Sequence, residues 1–192
     1  MKYRKFSDTG REVSEIGLGC WGLGGNWSDV SDRSAMDILN EAYENGVNFL
    51  DTADVYGNGR SEKIIGKFAR NKKKLFIATK CGERLKPHLP ERYNRQNFGK
   101  FIDRSLFNLR TECIDLMQLH CPPKQLCSKK EVHDMMRTFI KQGKIKYYGF
   151  SVFNLNEAYE ALKFDKVKSI QLVFNLFRQR PSEEFFKIAK KK

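Results

Sequence analysis

Residues 47–57 read Val-Asn-Phe-Leu-Asp-Thr-Ala-Asp-Val-Tyr-Gly, and residues 75–80 read Leu-Phe-Ile-Ala-Thr-Lys. Each opens as a short, mainly apolar run and closes on a charged side chain. A run this short that is apolar nearly throughout suits a strand covered on both faces, the condition of a parallel sheet. Working outward, comparable runs occupy 16–20, 114–120, 147–151 and 169–175, which makes six core strand candidates. Helical periodicity fills most gaps between them. Ala35, Ile38, Leu39, Ala42 and Tyr43 recur at helical spacing after Ser31, Asp32 and Ser34 and stop at Gly46. Phe98, Phe101, Ile102 and Leu109 form a second apolar face. Val132, Met135, Met136, Phe139 and Ile140 form a third, which Ser128 and Glu131 are expected to open as a capping box. Asn154 with Glu157 opens a fourth helix, and Ser182 precedes a fifth. Asp8-Thr9-Gly10 predicts a hairpin turn ahead of the first core strand.

Strands alternating with helices leave two main architectures, an open doubly wound sheet and a closed (β/α)8 barrel of the TIM type. Gly17, Gly19, Gly22, Gly24 and Gly25 follow the first strand, but residues 26–31 separate them from the next helix. A dinucleotide fingerprint needs that helix to begin at once, so that its N-terminus meets a pyrophosphate. These glycines instead suit close backbone approach at the mouth of a barrel. The expected fold is therefore an α/β, TIM-type barrel with six parallel core strands and an N-terminal hairpin, in a single domain over 1–192. A full barrel takes about 250 residues. This one is expected to be incomplete, lacking its last two βα units.

Composition narrows the setting. A chain of 192 residues with 40% hydrophobic and 12% aromatic side chains is globular rather than disordered. No apolar run approaches the roughly 18 residues that cross a bilayer, and the polar start lacks the apolar core of a signal peptide. Five cysteines without framework spacing point to reduced thiols and a cytoplasmic location. The net charge of +13 invites an anionic partner. No arginine–aromatic interleaving accompanies it, so neither nucleic acid nor membrane is the expected partner. Lys72-Lys73-Lys74 and Lys190-Lys191-Lys192 read as solvated helix ends.

In such a barrel the reactive side chains gather where strands end on one face. Asp51 ends its run and Tyr56 follows in the loop; Lys80 ends the next run; His120 ends the run through Leu116, Met117 and Leu119. Singly, each has an ordinary reading: Asp51 and Asp54 as turn formers, Tyr56 as a loop aromatic, Lys80 as a snorkelling lysine, His120 as a core histidine. Together they place a carboxylate, a phenol, an ammonium and an imidazole on one rim. A zinc reading of Cys81, His120, Cys121 and Cys127 lacks paired ligand spacing, and no metal is expected.

Six stretches carry a family resemblance. They are Ile-Gly-Leu-Gly-Cys-Trp-Gly-Leu-Gly (16–24), Asn-Phe-Leu-Asp-Thr-Ala-Asp-Val-Tyr-Gly (48–57), Phe-Ile-Ala-Thr-Lys (76–80), Ile-Asp-Leu-Met-Gln-Leu-His (114–120), Gly-Lys-Ile-Lys-Tyr-Tyr-Gly-Phe-Ser (143–151) and Ser-Ile-Gln-Leu-Val-Phe-Asn (169–175). In kind and order the chain resembles the aldo-keto reductase superfamily. The resemblance implies an NAD(P)H-dependent oxidoreductase that reduces aldehydes or ketones to alcohols, or runs the reverse, with Asp51, Tyr56, Lys80 and His120 as its catalytic group. Tyr56 is then the general acid that meets the charge developing on the carbonyl oxygen. Lys80 favours the phenolate and so strengthens that acid, Asp51 holds Lys80, and His120 orients the carbonyl. Ser151 and Gln171, with Asp51 nearby, are expected to bind the nicotinamide, while Trp21 and Trp27 wall the substrate site beside His120. NADPH is the expected cofactor, although the charge does not separate it from NADH. The expected partner is a small carbonyl compound. Open barrel edges also offer a surface for self-association or another chain. The alternative is a catalytically inactive truncated barrel, or a binding module that needs a partner chain.

Overall fold

The computed structural model describes residues 1–25, 29–72 and 74–192. Trp27 and Lys73 therefore lie outside the described residues. The hairpin forms as expected: β1 (Tyr3–Lys5) and β2 (Glu12–Ser14) pair antiparallel, with Gly10 at φ 72° in the connection. Six strands then follow: β3 (Leu18–Gly19), β4 (Phe49–Asp51), β5 (Phe76–Cys81), β6 (Ile114–His120), β7 (Ile145–Val152) and β8 (Val167–Leu172). All neighbours are parallel and the spatial order is the chain order, so the sheet curls into a half-barrel with β3 and β8 as its edges.

Helices return the chain between strands: α1 (Asp32–Glu44), α2 (Arg60–Ala69), α3 (Arg95–Leu109), α4 (Lys130–Lys141) and α5 (Leu155–Leu162). The last helix expected from sequence is broken in two, α6 (Arg180–Glu183) and α7 (Phe185–Ala189). Among the described residues, no helix is long and apolar enough to cross a membrane.

Strand alternation divides the sheet into two faces. On the outer face Cys81, Met117, Leu119, Tyr148, Phe150 and Val152 join the large core under the helices, with Leu39, Ile65, Ile102 and Met136. On the inner face Phe76, Ala78 and Leu116 pack with Phe49 and Tyr147, and the hairpin adds Phe6 and Val13. The hairpin thus closes the N-terminal end of the interior with apolar side chains, leaving the other end for polar ones.

Three details depart from the sequence reading. Residues 60–69, to which it assigns no element, form α2. This helix is tied down by buried polar bonds: Ser61 Oγ donates to the Cys20 carbonyl at 2.8 Å, and Glu62 accepts from Thr79 Oγ1 at 2.7 Å and Asn108 Nδ2 at 2.9 Å. The Ser128–Glu131 capping box does not form, because α4 starts at Lys130 with Lys129 as its N-cap. A turn closed by Lys129 N–H on the Leu126 carbonyl leaves Ser128 outside the helix, with Glu131 too early to be its reciprocal partner. The box at Asn154 does form, Glu157 Oε2 accepting from the Asn154 N–H at 3.1 Å. Finally, β8 runs earlier than 169–175, and Val173 and Phe174 leave the sheet exposed. The sheet offers β8 a neighbour on one side only, β7, and their pairing ends at Val152 with Leu172.

Candidate active site

Strand register builds the polar end of the interior in layers. Asp51 pairs with Ala78 and lies one step below Lys80, which pairs with Gln118; Gln118 continues to Gly149 and Ser169. The next layer runs His120, Ser151, Gln171. Residues directly opposite in a parallel pair share a face, so these polar side chains belong with the inner apolar cluster beneath them. Gly149 is required here: a Cβ on it would lie 2.4 Å from the Ser169 carbonyl oxygen.

Lys80 is the centre of the group. It is fully buried, and its Nζ donates to Asp51 Oδ1 at 2.5 Å, to the Thr52 carbonyl at 2.8 Å and to Tyr56 Oη at 3.4 Å. A buried ammonium survives only if its donors are satisfied, and here all three are. The second Asp51 oxygen accepts from Gln171 Nε2 at 3.0 Å and Gln118 Nε2 at 3.4 Å, while Ser169 Oγ bonds Gln118 Oε1 at 3.2 Å. One carboxylate therefore links β4, β5, β6 and β8.

Tyr56 begins a short 3-10 turn, Tyr56–Gly59, in which Gly57 and Asn58 take left-handed backbone angles. The turn needs Gly57, because a Cβ there would lie 2.1 Å from the Gly24 carbonyl oxygen. Close backbone approach is thus seen where Gly57 meets Gly24, whereas a Cβ on Gly19 or Gly22 would meet nothing within 4 Å. Tyr56 and His120 rings meet edge to face with centroids 6.0 Å apart. Burial, together with the charges of Asp51 and Glu83, pushes the Tyr56 phenol above its ordinary range. That direction opposes the acid-strengthening expected from Lys80, whose positive charge is here already matched by Asp51 at 2.5 Å. Burial first, then the Lys80 and His88 charges, lowers the His120 pKa to about 4, so its imidazole is neutral near pH 7.

Similarity places the chain. The profile of the Aldo/keto reductase family matches residues 15–192. The chain belongs to the aldo/keto reductase family. It is 35% identical over 187 residues to the uncharacterized oxidoreductase YqkF of Bacillus subtilis, covering 95% of this chain and 59% of that protein. To the aldo-keto reductase YhdN of the same organism it is 32% identical over 195 residues, with 99% and 59% covered. The holo form of the aldo-keto reductase AKR11C1 from Bacillus halodurans superposes with a TM-score of 0.85 at 31% identity, covering 99% of this chain and 63% of that one. The glycerol dehydrogenase AKR11B4 from Gluconobacter oxydans superposes at 0.81 and 26% identity, covering 98% of this chain and 60% of that one. These structural neighbours have a (β/α)8 barrel, and this aldo/keto reductase chain spans about three-fifths of the length of the curated relatives named above.

Within this aldo/keto reductase chain, Asp51, Tyr56, Lys80 and His120 come together at one end of the sheet, with Ser151 and Gln171 in the layer of His120. Trp21 lies half-exposed just past β3. Four neighbours escaped the sequence reading. Gln118 is the inward residue two before His120, a position that alternation alone could have marked. Thr52 contributes only its carbonyl. Asp54, read as a turn former, is fully buried, with Arg84 Nε 3.2 Å from its carboxylate. Glu83 places Oε2 3.0 Å from His120 Nδ1, a contact without hydrogen-bond alignment.

Proposed function

We propose that this aldo/keto reductase chain carries the acid–base and carbonyl-binding part of an NADPH-dependent reduction of small aldehydes or ketones. The observation that supports this reading is the Lys80 ammonium held between the Asp51 carboxylate and the Tyr56 hydroxyl. Tyr56 keeps its proton across the physiological range and is, among the described residues, the phenol hydrogen-bonded to that ammonium. As charge develops on a carbonyl oxygen, Tyr56 delivers the proton, and Lys80 stabilises the phenolate left behind. Neutral His120 offers one ring N–H to the same oxygen and so orients it. Asp51 holds Lys80 charged and aimed.

The residues present fit a nicotinamide carboxamide: the Ser151 hydroxyl and the Gln171 amide are register neighbours and together supply both donors and acceptors. Bound there, the cofactor supplies the hydride. Gln171 already donates to Asp51, so a cofactor that recruits it has to share or displace that bond. The net charge of +13 suits a phosphorylated cofactor without separating NADPH from NADH.

Two measurements test the reading in sequence. NADPH titrated against the chain should quench or enhance fluorescence in a saturable way, and oxidation of NADPH by an aldehyde should follow. Tyr56→Phe should leave binding intact and reduce turnover by at least about 100-fold, the scale of general acid catalysis. Saturable binding without turnover, or neither, would move the chain to the non-catalytic module.

A further inference from the structure

The loop that follows β5 enters the site from a side that the tetrad does not use. Gly82 turns the chain at φ 116° directly after Cys81, a conformation that glycine adopts freely. The next two residues then point to different parts of the rim. Glu83 Oε2 lies 3.0 Å from His120 Nδ1, at the end of β6. Arg84 Nε lies 3.2 Å from the Asp54 carboxylate, and Arg84 Nη2 donates to the Asp54 carbonyl oxygen. Asp54 stands two residues before Tyr56, and its own N–H donates to the Lys80 carbonyl at 3.1 Å.

We infer that Glu83 and Arg84 act as one positioning element, tying the turn that carries Tyr56 to the imidazole of His120 and thereby setting the spacing of proton donor and carbonyl orienter. The inference rests on the roles proposed above for those two residues. Three features argue for a working constraint rather than an ordinary surface contact. The Asp54 carboxylate is fully buried, and neither of its oxygens makes a hydrogen bond among the described residues, so the Arg84 charge beside it is the nearest counterweight to a desolvation that it offsets only in part. Arg84 grips carboxylate and carbonyl of the same residue, which fixes the backbone of the turn and not only a side chain. His120 Nδ1 is likewise buried without an aligned hydrogen bond among the described residues, and the Glu83 carboxylate lies 3.0 Å from it. Because Glu83 and Arg84 are adjacent, neither can move far without shifting the other.

The test is made on the free chain by NMR, so its outcome does not depend on whether the chain reduces anything. With only three histidines, the His120 ring nitrogens are resolvable. Arg84→Gln should shift the His120 ring resonances, although Arg84 does not touch that ring, and should accelerate amide exchange at residues 54–58 by about tenfold or more. Arg84→Lys should restore part of both effects. Glu83→Gln, at a half-exposed position that tolerates change, should shift His120 and also the Tyr56 ring carbons. The coupling is overturned if each variant perturbs only its own contact, Arg84→Gln leaving His120 unmoved and Glu83→Gln leaving Tyr56 unmoved. Should Arg84→Gln fail to fold, Glu83→Gln and Arg84→Lys decide the question alone. In a chain that turns over NADPH, Arg84→Gln should lower kcat by about 10- to 100-fold with cofactor affinity unchanged. An absence of turnover in the unaltered chain would count against the proposed function and leave the NMR result standing.

Discussion

Strands β6 and β8 belong to one sheet and obey one alternation, yet they differ along their whole length. Six of the seven residues of β6 are buried, whereas all six of β8 are half-buried. The difference lies in neighbours rather than in composition. β6 is paired on both sides, by β5 and β7, and covered by helices on its outer face; β8 has β7 alone. Beyond β8 the chain exposes Val173, Phe174, Leu176 and Phe177, an apolar run that a strand on that side would bury. The site is divided in the same way. Lys80 and His120 stand on the covered strands, while Gln171 stands on the open edge. Lys80 and His120 are therefore preorganised by packing, as is Ser151 on doubly paired β7, whereas Gln171 is held from one side only.

Substitutions that remove one side of this comparison should differ sharply in cost. Lys80→Met should be the most damaging, since it leaves the Asp51 carboxylate without its cation in the interior; a loss of about 3–5 kcal/mol is expected in urea unfolding. A loss under about 1 kcal/mol would mean that water already reaches the covered side. Leu116→Ala on β6 should cost about 2–5 kcal/mol by opening a cavity, and Ile170→Ala on β8 less than half of that. Equal costs would break the distinction between the two strands.

Asp54 supplies a pH test of the covered side. Burial raises its pKa from 3.8 to about 7, with Glu62 and Glu83 adding to the rise and Arg84 and Arg104 opposing it. Between about pH 4 and pH 7 the folded chain thus keeps a proton that the unfolded chain has released, so this group makes stability fall as pH rises through that window. Asp54→Asn should remove that slope, worth on the order of 1–3 kcal/mol, leaving an opposite one from His120. Because the His120 pKa is lowered to about 4, stability from that group is lost as pH falls from about 6.5 toward 4. Urea midpoints compared at pH 5 and pH 8 read both slopes. The smallest effect belongs to the open side. Phe177, 97% exposed, should cost under about 0.5 kcal/mol when changed to Ser. If the apolar run drives self-association, Phe177→Ser should reduce it in sedimentation velocity without moving the melting temperature.

Much of the architecture was legible because it is local. The turn at Asp8-Thr9-Gly10, the apolar stripe of α1 and the capping box at Asn154 each depend on residues within a few positions of one another. α2 was not, since it follows the left-handed turn of Gly57 and Asn58 and has Gly59 as an N-cap without a side-chain acceptor. Its polar first turn, Ser61 and Glu62, looks like a solvated helix start but is buried against Cys20, Thr79 and Asn108. Asp54 misled for the same reason: a carboxylate after a strand usually marks a turn, and only packing shows that it is enclosed.

By itself the sequence determined the kind of fold and the kind of site. Alternation of short apolar runs with helical stretches allows few arrangements, and the side chain that ends each run is placed at the rim by strand geometry alone. Tertiary structure decided what those side chains do to one another. That Asp51 binds Lys80, Gln118 and Gln171 together, that Tyr56 is raised rather than lowered in pKa, and that Glu83 and Arg84 reach across to the site are all distance-dependent facts. Electrostatic and hydrogen-bond energies depend on separations of a few ångströms and on burial, and neither is encoded in any local stretch of chain.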